Sequence, residues 1–287
     1  MIRDKQGRIS LHHATDTIEQ KGSPLGPPDQ EHETARAVQT MFARVAPRYD
    51  FLNHLLSARF DVWWRRAAAR EVRHVLERPG SLAADLCCGT GDLTFALAGL
   101  SAGRVVGADF CHPMLEIASR KGARLQGRQG ERSNGASKVP ARFIEADTLS
   151  LPFADGSLDL VSAAFGFRNL ANYAQGLAEM HRVLKPGGWI AILEFNRVQS
   201  RVLGPLFRLY FRHVLPFIGT VISGVRGPYQ YLPDSVERFP DQDQLARQLC
   251  ECGFKKVHYR NFMGGVAALH VGEKSCIGTS KRTGTLS

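Results

Sequence analysis

A glycine-containing turn is the first segment of the sequence in which we expect chemistry. The stretch "ADLCCGTGDLTFAL", residues 83–96, runs from apolar residues through Gly89, Thr90 and Gly91 into a helix-like pattern. Glycine lets the backbone approach a ligand without a Cβ clash, and open parallel sheets bind ligands where strands turn into helices. The turn therefore predicts a ligand site, although tight turns also use glycine for purely structural reasons.

Three carboxylates end apolar runs in this part of the chain. Asp85 precedes the glycine turn, Asp109 ends "RVVGAD", and Asp147 ends "ARFIEAD". An acid at the end of the second strand is placed to accept hydrogen bonds from a ribose diol, and Asp147 could meet an adenine amino group. Each acid could instead cap a helix. Three of them at successive strand ends favour a ribose-bearing cofactor.

The composition of the turn limits which cofactor types the site could bind. A dinucleotide site would carry a third glycine in the pattern GxGxxG, but Thr94 occupies that position and no basic residue accompanies the loop. A cofactor without a pyrophosphate fits better, which favours S-adenosylmethionine. Adjacent Cys87 and Cys88 suit free thiols rather than a disulfide. No metal is expected, because Cys250 and Cys252 lack the spacing and the second cysteine pair of a zinc site.

Alternating strand-like and helix-like runs must position these residues. The segments typical of strands are "SLAADLCC", "RVVGAD", "ARFIEAD", "LDLVSAAF" and "WIAILEF". Before the last of them, Tyr173, Leu177, Met180 and Leu184 fall on one face of a helix. The alternation predicts an α/β fold with a parallel sheet covered on both faces. An earlier helical stretch is expected to break at Pro47.

One domain is predicted over most of the chain. The predicted units are a flexible leader (1–33), a single domain (34–274) with a mobile insertion (125–138) and a lid or substrate segment (201–232), and a disordered tail (275–287). Residues 201–222 of this segment are numerous and apolar enough to suggest a membrane span, but Arg208 and Arg212 argue against one. An amphipathic lid or membrane-surface helix is favoured, with a buried helix pair as the alternative.

The charge balance is strongly basic. The formal net charge is +10 and the isoelectric point is near 9.6. Such a charge suits an acidic partner such as nucleic acid or an anionic membrane, or it reflects arginines solvated on helix faces. The leader lacks the apolar core of a secretory signal and contains several acids, so a cytoplasmic location is expected.

Several longer motifs resemble one family. They are "YDFLN", "DLCCGTGDL", "GADF", "EADTLSLPFADGSLDLVSAAFGFRNL", "HRVLKPGGWIAILEF" and "YQYLPDSVERFPDQ" through "GGVAALHVG", and in this order, from about residue 38 to 274, they resemble the ubiquinone/menaquinone biosynthesis C-methyltransferase family. The resemblance implies a class I methyltransferase (Rossmann-like) fold: a mostly parallel, seven-stranded sheet flanked by helices, with its last strand antiparallel. It also implies methylation of a polyprenylated quinol carbon by S-adenosylmethionine.

The same resemblance assigns residues to the cofactor. By motif position, Thr90, Asp109, Asp147 and Thr148 correspond to the family's cofactor contacts, and they join Asp85, Gly89 and Gly91 of the turn as predicted cofactor-binding residues. One departure is Ala164, which stands before "FGFRN" where the family often has serine. A hydroxyl contact to the cofactor is therefore in doubt, and backbone groups would have to replace it.

Three residues are candidates for catalytic roles in methyl transfer to the acceptor. Arg168 in "FGFRN" would stabilise the developing quinolate, since arginine stays protonated and cannot act as a neutral base; a structural salt bridge is the alternative. Asn169 follows it. Tyr49 in "YDFLN" would fold over the cofactor, or else mark a helix junction set by Pro47. His54 and His270 are left unassigned.

Alternatives remain at the level of substrate and class. Demethylmenaquinol is the favoured acceptor, because the double cysteine of "LCCGTGDL" looks like family branches acting on naphthoquinols; 2-methoxy-6-polyprenyl-1,4-benzoquinol of ubiquinone biosynthesis is the other. An RNA or DNA methyltransferase is disfavoured, since no nucleic-acid module is appended and "AAFGFRN" differs from an Asn-Pro-Pro-Tyr-like exit. A non-catalytic quinone-binding scaffold would be separated by cofactor titration. Contact with an anionic membrane is expected at the inner face of the cytoplasmic membrane, and the oligomeric state is left open.

Overall fold

A seven-stranded sheet forms the centre of the protein. The computed structural model describes residues 2–3, 9–10, 31–50, 54, 57, 59–130, 141–198, 204, 209 and 228–275. The strands are β1 (Leu82–Leu86), β2 (Arg104–Asp109), β3 (Arg142–Glu145), β4 (Leu158–Ala164), β5 (Leu184–Phe195), β6 (Phe254–Phe262) and β7 (Ala267–Lys274). Their order is β3-β2-β1-β4-β5-β7-β6, and only β7 runs antiparallel to its neighbours. The predicted fold is confirmed.

Helices cover both faces of this sheet. They are α1 (Glu31–Val45), α2 (Phe60–Glu71), α3 (Arg73–Leu76), α4 (Asp92–Ala98), α5 (His112–Gly130), α6 (Tyr173–Val183), α7 (Pro228–Arg238) and α8 (Gln242–Glu251). Helix α1 ends at Val45, and a 3-10 turn follows over Ala46–Arg48, with Pro47 in its middle. The predicted break at this proline is therefore present, as expected for a residue without an amide hydrogen.

Alternating residues of the strands supply two apolar layers. Ala84 and Leu86 of β1 pack on the side that holds the buried face of α6, whose Leu177 and Met180 have the predicted spacing. Ala83 packs on the other side, with α2, α3 and α4. Asp85 has the same orientation as Ala83, because successive side chains of a strand point to opposite faces. A carboxylate is thus buried beneath the helix that follows the glycine turn.

The sheet brings the predicted site residues to one edge. Leu86 pairs with Ala108 of β2 and Ala163 of β4, and Asp109 pairs with Glu145 of β3. Because these four strands are parallel, their carboxyl ends meet at the same edge, where such sheets bind ligands.

The predicted accessory segments lie largely outside the described residues. In the leader, Ile2–Arg3 and Ile9–Ser10 form a two-residue antiparallel pair, and α1 begins at Glu31. Helix α5 includes residues 125–130 of the predicted insertion. Most of 201–232, residues 131–138 and all of the predicted tail except Ser275 fall outside, so their flexibility and lid role stay predictions. Among the described helices, none combines the length and apolarity needed to cross a membrane.

Candidate active site

Asp109 connects the glycine turn to the end of β2. Its carboxylate accepts hydrogen bonds from the backbone N–H of Gly89 (2.8 Å) and of Cys111 (2.9 Å), one on each oxygen. Burial raises the pKa of Asp109 to about 6, against the opposing effect of these bonds. The group is therefore mostly ionised at neutral pH. Each carboxylate oxygen keeps a lone pair with which it can accept a ligand hydroxyl.

The two glycines of the turn have different roles. Gly89 has a φ of +53° and lines the cavity, and the one described atom that a Cβ placed on it would meet is Cε1 of Tyr49, at 4.0 Å. Gly91 has a φ of +86°, and a Cβ there would lie 2.9 Å from Cζ of Phe143. Gly89 thus leaves room for a ligand, whereas Gly91 leaves room for an aromatic ring of the protein.

Thr90 lies in a charged cluster beside the turn. Its hydroxyl donates to Asp50 and accepts from Nζ of Lys121 at 3.0 Å, and the same ammonium contacts Asp92 at 2.9 Å. No basic residue is near the turn in sequence, but Lys121 reaches it from α5. Nothing in the linear spacing signals this contact, which sequence reasoning missed.

Asp147 and Thr148 form the cavity wall that follows β3. Asp147 accepts the backbone N–H of Leu149 (2.9 Å) while its side chain stays exposed. Thr148 is buried, with its hydroxyl 3.4 Å from Sγ of Cys87. Burial raises the pKa of the Cys87 thiol, so this group is a neutral part of the wall.

Asp85 lies deeper than the other two strand-end acids. Its carboxylate accepts hydrogen bonds from the hydroxyls of Thr94 (2.6 Å) and Ser162 (3.0 Å) and is almost completely buried. Burial raises its pKa to about 7. Asp85, Thr90 and Ala164 line a smaller recess behind the turn rather than the main cavity. Both oxygens of Asp85 are already used within the protein.

The main cavity combines a polar side with an apolar wall. It has an empty volume of about 670 Å³, including its mouth. Its polar lining includes Asp109, Asp147, Thr148, Tyr49 and Asn169. The apolar lining includes Phe42, Phe110, Met114, Leu149, Phe165 and Leu170. Polar groups suited to a nucleoside and apolar groups suited to an aromatic ring therefore line one continuous space.

Arg168 does not line this cavity. It is buried in an ion pair with Glu194, whose Oε2 lies 2.8 Å from the guanidinium, and it also donates to the carbonyl of Phe165. Burial alone would lower its pKa, but Glu194, Tyr49 and Tyr231 raise it, so the group stays charged. Glu194 is a partner that sequence reasoning missed. Its position in an apolar β5 strand is the only signal.

Asn169 and Tyr49 do lie at the cavity. The side-chain oxygen of Asn169 accepts a hydrogen bond from the hydroxyl of Tyr231 in α7 (3.0 Å). Tyr49 packs edge-on against Phe42, with 6.0 Å between ring centroids. Both residues face the space that the cofactor-side acids also line.

The two unassigned histidines are separated from the cavity. His270 is buried, its Nε2 lies 2.9 Å from the Gln242 carbonyl, and burial lowers its pKa to about 4. His54 lies beside Asp61, with 2.9 Å between Nδ1 and Oδ2, and the Arg65 guanidinium also bonds this carboxylate. His54, Asp61 and Asp92 offer ligand atoms close together, but the arginine already satisfies the charge of Asp61.

Comparison with known sequences identifies the family. The model of the ubiE/COQ5 methyltransferase family matches residues 29–274. The chain belongs to this family. The resemblance noted from the motifs is thereby confirmed, and the chain is a methyltransferase by family.

Relatives in the family are similar over nearly their whole length. The demethylmenaquinone methyltransferase of Deinococcus radiodurans is 44% identical over 86% of this chain and 97% of its own length. That of Thermus thermophilus is 46% identical over 82% of this chain and its full length. The ubiquinone/menaquinone biosynthesis C-methyltransferase UbiE of Geotalea uraniireducens is 38% identical over 84% of this chain and 98% of its own.

Solved structures confirm the fold of the family member. A SAM-dependent methyltransferase of Thermotoga maritima, described as a possible histamine N-methyltransferase, matches with a TM-score of 0.57 and 16% identity, covering 82% of this chain and 99% of that one. The cyclase SpnF matches with a TM-score of 0.61 and 17% identity, covering 89% and 99%. At these identities the similarity shows the class I methyltransferase architecture only.

The cavity fits the cofactor that family and fold assign, S-adenosylmethionine. Asp109 offers carboxylate lone pairs at the end of β2, and Gly89 leaves open the space that a side chain would fill. The described residues around the turn supply no arginine or lysine to the main cavity, which suits a cofactor without a pyrophosphate.

Proposed function

We propose that the protein transfers a methyl group from S-adenosylmethionine to a ring carbon of a polyprenylated quinol, with demethylmenaquinol as the acceptor. The observation that carries this proposal is the single cavity in which the Asp109 carboxylate shares a space with aromatic and aliphatic side chains. Relatives named demethylmenaquinone methyltransferase, at 44% and 46% identity, support the choice of acceptor.

Each cofactor-side residue has a proposed role. Asp109 accepts the ribose hydroxyls, the backbone at Gly89 lies against the cofactor, and Asp147 with Thr148 contacts the adenine. Asp85, Thr90 and Gly91 do not contact the cofactor in this proposal. Their side chains or backbone hold the glycine turn in place. When bound, S-adenosylmethionine supplies an electrophilic methyl group on a sulfonium.

The protein must also make the acceptor carbon nucleophilic. A quinol hydroxyl with a pKa near that of tyrosine, about 10, is ionised in about one molecule per thousand at pH 7, a deficit of roughly 4 kcal/mol. A fixed positive charge lowers this cost. Arg168 lies near Tyr49 and Tyr231, but the Glu194 carboxylate offsets part of its charge. It therefore acts on the quinolate as the positive end of a buried ion pair, through electrostatics rather than as a base. Tyr49 and Asn169 position the ring, and in-line alignment supplies several kcal/mol more.

The membrane is the proposed source of the acceptor. The protein acts at the inner face of the cytoplasmic membrane. Residues 201–232 serve as a lid, and the apolar part of it, residues 201–222, receives the isoprenoid tail. The net charge of +10 supports contact with anionic headgroups. No nucleic-acid partner is proposed.

An assay with labelled S-adenosylmethionine tests the function. The two quinols, demethylmenaquinol and the methoxy-benzoquinol, are offered side by side in detergent, with total RNA as a third acceptor. Label is expected in the naphthoquinol first. Preferential labelling of the benzoquinol would move the activity to ubiquinone biosynthesis, for which the UbiE relative gives precedent. Cofactor binding without transfer to any quinol would instead indicate a scaffold.

A further inference from the structure

Three large apolar side chains are exposed together at the edge of the sheet that holds the cavity. Phe60 and Trp63 begin α2, and Met263 lies in the turn between β6 and β7; they are 43%, 46% and 49% exposed. The ring of Trp63 lies 5.4 Å from that of Phe262, edge to face, which connects α2 to this turn. We name Phe60, Trp63 and Met263 the apolar edge surface.

Arginines surround the apolar edge surface. Arg59 and Arg66 lie four positions before and three after Trp63, and both are exposed. The guanidinium of Arg260 lies 5.3 Å over the ring of Phe262. Within the ranges that the structure describes, none of the three forms an ion pair with a carboxylate. The surface is therefore an apolar centre within an uncompensated positive rim.

The apolar edge surface adjoins the cavity. Trp64, buried beneath it, has its ring 6.0 Å from that of Phe165, which lines the cavity. Strand β6 is parallel to β5, so Phe262 ends it at the carboxyl edge where Asp109 also lies. A flat partner placed on this surface would lie at the same edge of the sheet as the cavity, with Trp64 between it and the lining residue Phe165.

We propose that the apolar edge surface docks on an anionic lipid bilayer. Tryptophan and other apolar side chains enter the headgroup region, and arginines bind the phosphates while their aliphatic parts stay in apolar surroundings. A second copy of the chain suits the surface less well, because arginine would face arginine. The inference rests on the proposed function only in that a polyprenylated acceptor resides in the bilayer.

Vesicle sedimentation at low salt tests the docking. The wild type should bind vesicles containing phosphatidylglycerol more tightly than vesicles of phosphatidylcholine alone. Replacing two exposed apolar residues, Trp63→Gln with Met263→Gln, should lower the partition coefficient about tenfold or more. The matched control is Leu125→Gln, since Leu125 is 43% exposed on α5, near the opposite edge strand β3, and it should bind as the wild type does.

A second measurement locates the contact. Vesicles with brominated acyl chains should quench the fluorescence of the wild type, and Trp63→Phe should remove most of the quenching while preserving binding. Of the other two tryptophans, Trp64 is buried, and Trp189 packs on His74 six residues before the carboxyl end of β5, away from the apolar edge surface. Arg66→Gln with Arg260→Gln should weaken binding to anionic vesicles only, with Arg124→Gln as its control.

Several outcomes would overturn the docking. They are no preference of the wild type for anionic vesicles, equal binding by the apolar double variant and its control, or a dimer that dissociates when Trp63 is replaced. Retained S-adenosylmethionine binding shows that each variant is folded. A quinol with one isoprenoid unit, assayed without vesicles, separates this proposal from the proposed function, since its methylation does not require docking.

Discussion

Two buried aspartates at the end of neighbouring strands differ in what their oxygens are free to do. Asp109 accepts hydrogen bonds from backbone N–H groups alone among the described residues, and it lines the cavity. Asp85 accepts two side-chain hydroxyls beneath the turn. Their spacing in the sequence cannot distinguish them, because both end apolar strands. The difference comes from Thr94 and Ser162, which lie far apart along the chain and meet at Asp85.

Asp109→Asn should therefore weaken S-adenosylmethionine binding. Loss of a charged acceptor costs about 1.5–3 kcal/mol, which is roughly a 10- to 100-fold rise in the dissociation constant. Asp85→Asn should change the affinity much less, since its contacts are internal. Calorimetric titration at pH 7.5 measures both, and equal losses in the two variants would contradict the proposed division of roles.

The buried pair of Arg168 and Glu194 supports a prediction about turnover. Arg168→Ala should lower the rate of methyl transfer far more than cofactor affinity, because the charge is needed when the quinolate forms. It should also destabilise the protein by about 3–5 kcal/mol, since Glu194 would be left buried without its partner.

A double variant separates these two effects. Arg168→Ala with Glu194→Gln removes both buried charges and should recover much of the stability, measured by urea unfolding, without recovering turnover. If the rate returns together with the stability, Arg168 is only a structural salt bridge, which was the alternative reading of its sequence position.

At the scale of elements, the periodic segments were predictable from the sequence, but contacts between residues far apart in the sequence were not. Five of the six parallel strands, the buried face of α6 and the break at Pro47 follow from patterns a few residues long. Lys121 reaches Thr90 from α5, and Tyr231 reaches Asn169 from α7. Such contacts depend on how helices dock on the sheet, which local patterns do not encode.

Three glycines on different elements enclose one aromatic ring. Added Cβ atoms at Gly91, Gly107 and Gly122 would lie 2.9, 2.7 and 3.9 Å from the nearest ring atoms of Phe143. The ring of Phe95 adds an edge-to-face contact at 5.6 Å. The second glycine of the turn is thus explained by packing between α4 and β3, whereas the sequence left a ligand site and a purely structural turn open.

Gly91→Ala and Gly89→Ala should then fail in different ways. Both place an alanine at positive φ, which costs about 1–2 kcal/mol. Gly91→Ala adds overpacking against Phe143, about 1–3 kcal/mol more, so it should be the less stable variant in urea. Gly89→Ala should chiefly weaken S-adenosylmethionine binding, because its methyl group would project into the cavity. The reverse ranking in both measurements would refute this distinction.

At the scale of the whole molecule, buried ionisable groups connect the site to stability. Burial raises the pKa of Asp85 from 3.8 to about 7. Between these values the folded protein holds a proton that the unfolded chain releases. Through this residue, stability is therefore greatest at low pH and falls as the pH rises towards 7. Keeping Asp85 at this buried position therefore lowers the free energy of unfolding at neutral pH.

Asp85→Asn should remove this pH dependence, because an amide can accept from one hydroxyl and donate to the other without ionising. The unfolding free energy of the variant minus that of the wild type should increase as the pH rises from 5 to 8, by roughly 2–4 kcal/mol at most. The quantity to compare is the difference between the two proteins in urea unfolding at each pH, since other groups titrate equally in both. A difference that stays constant across this range would mean that Asp85 keeps an ordinary pKa and that its burial does not govern its charge.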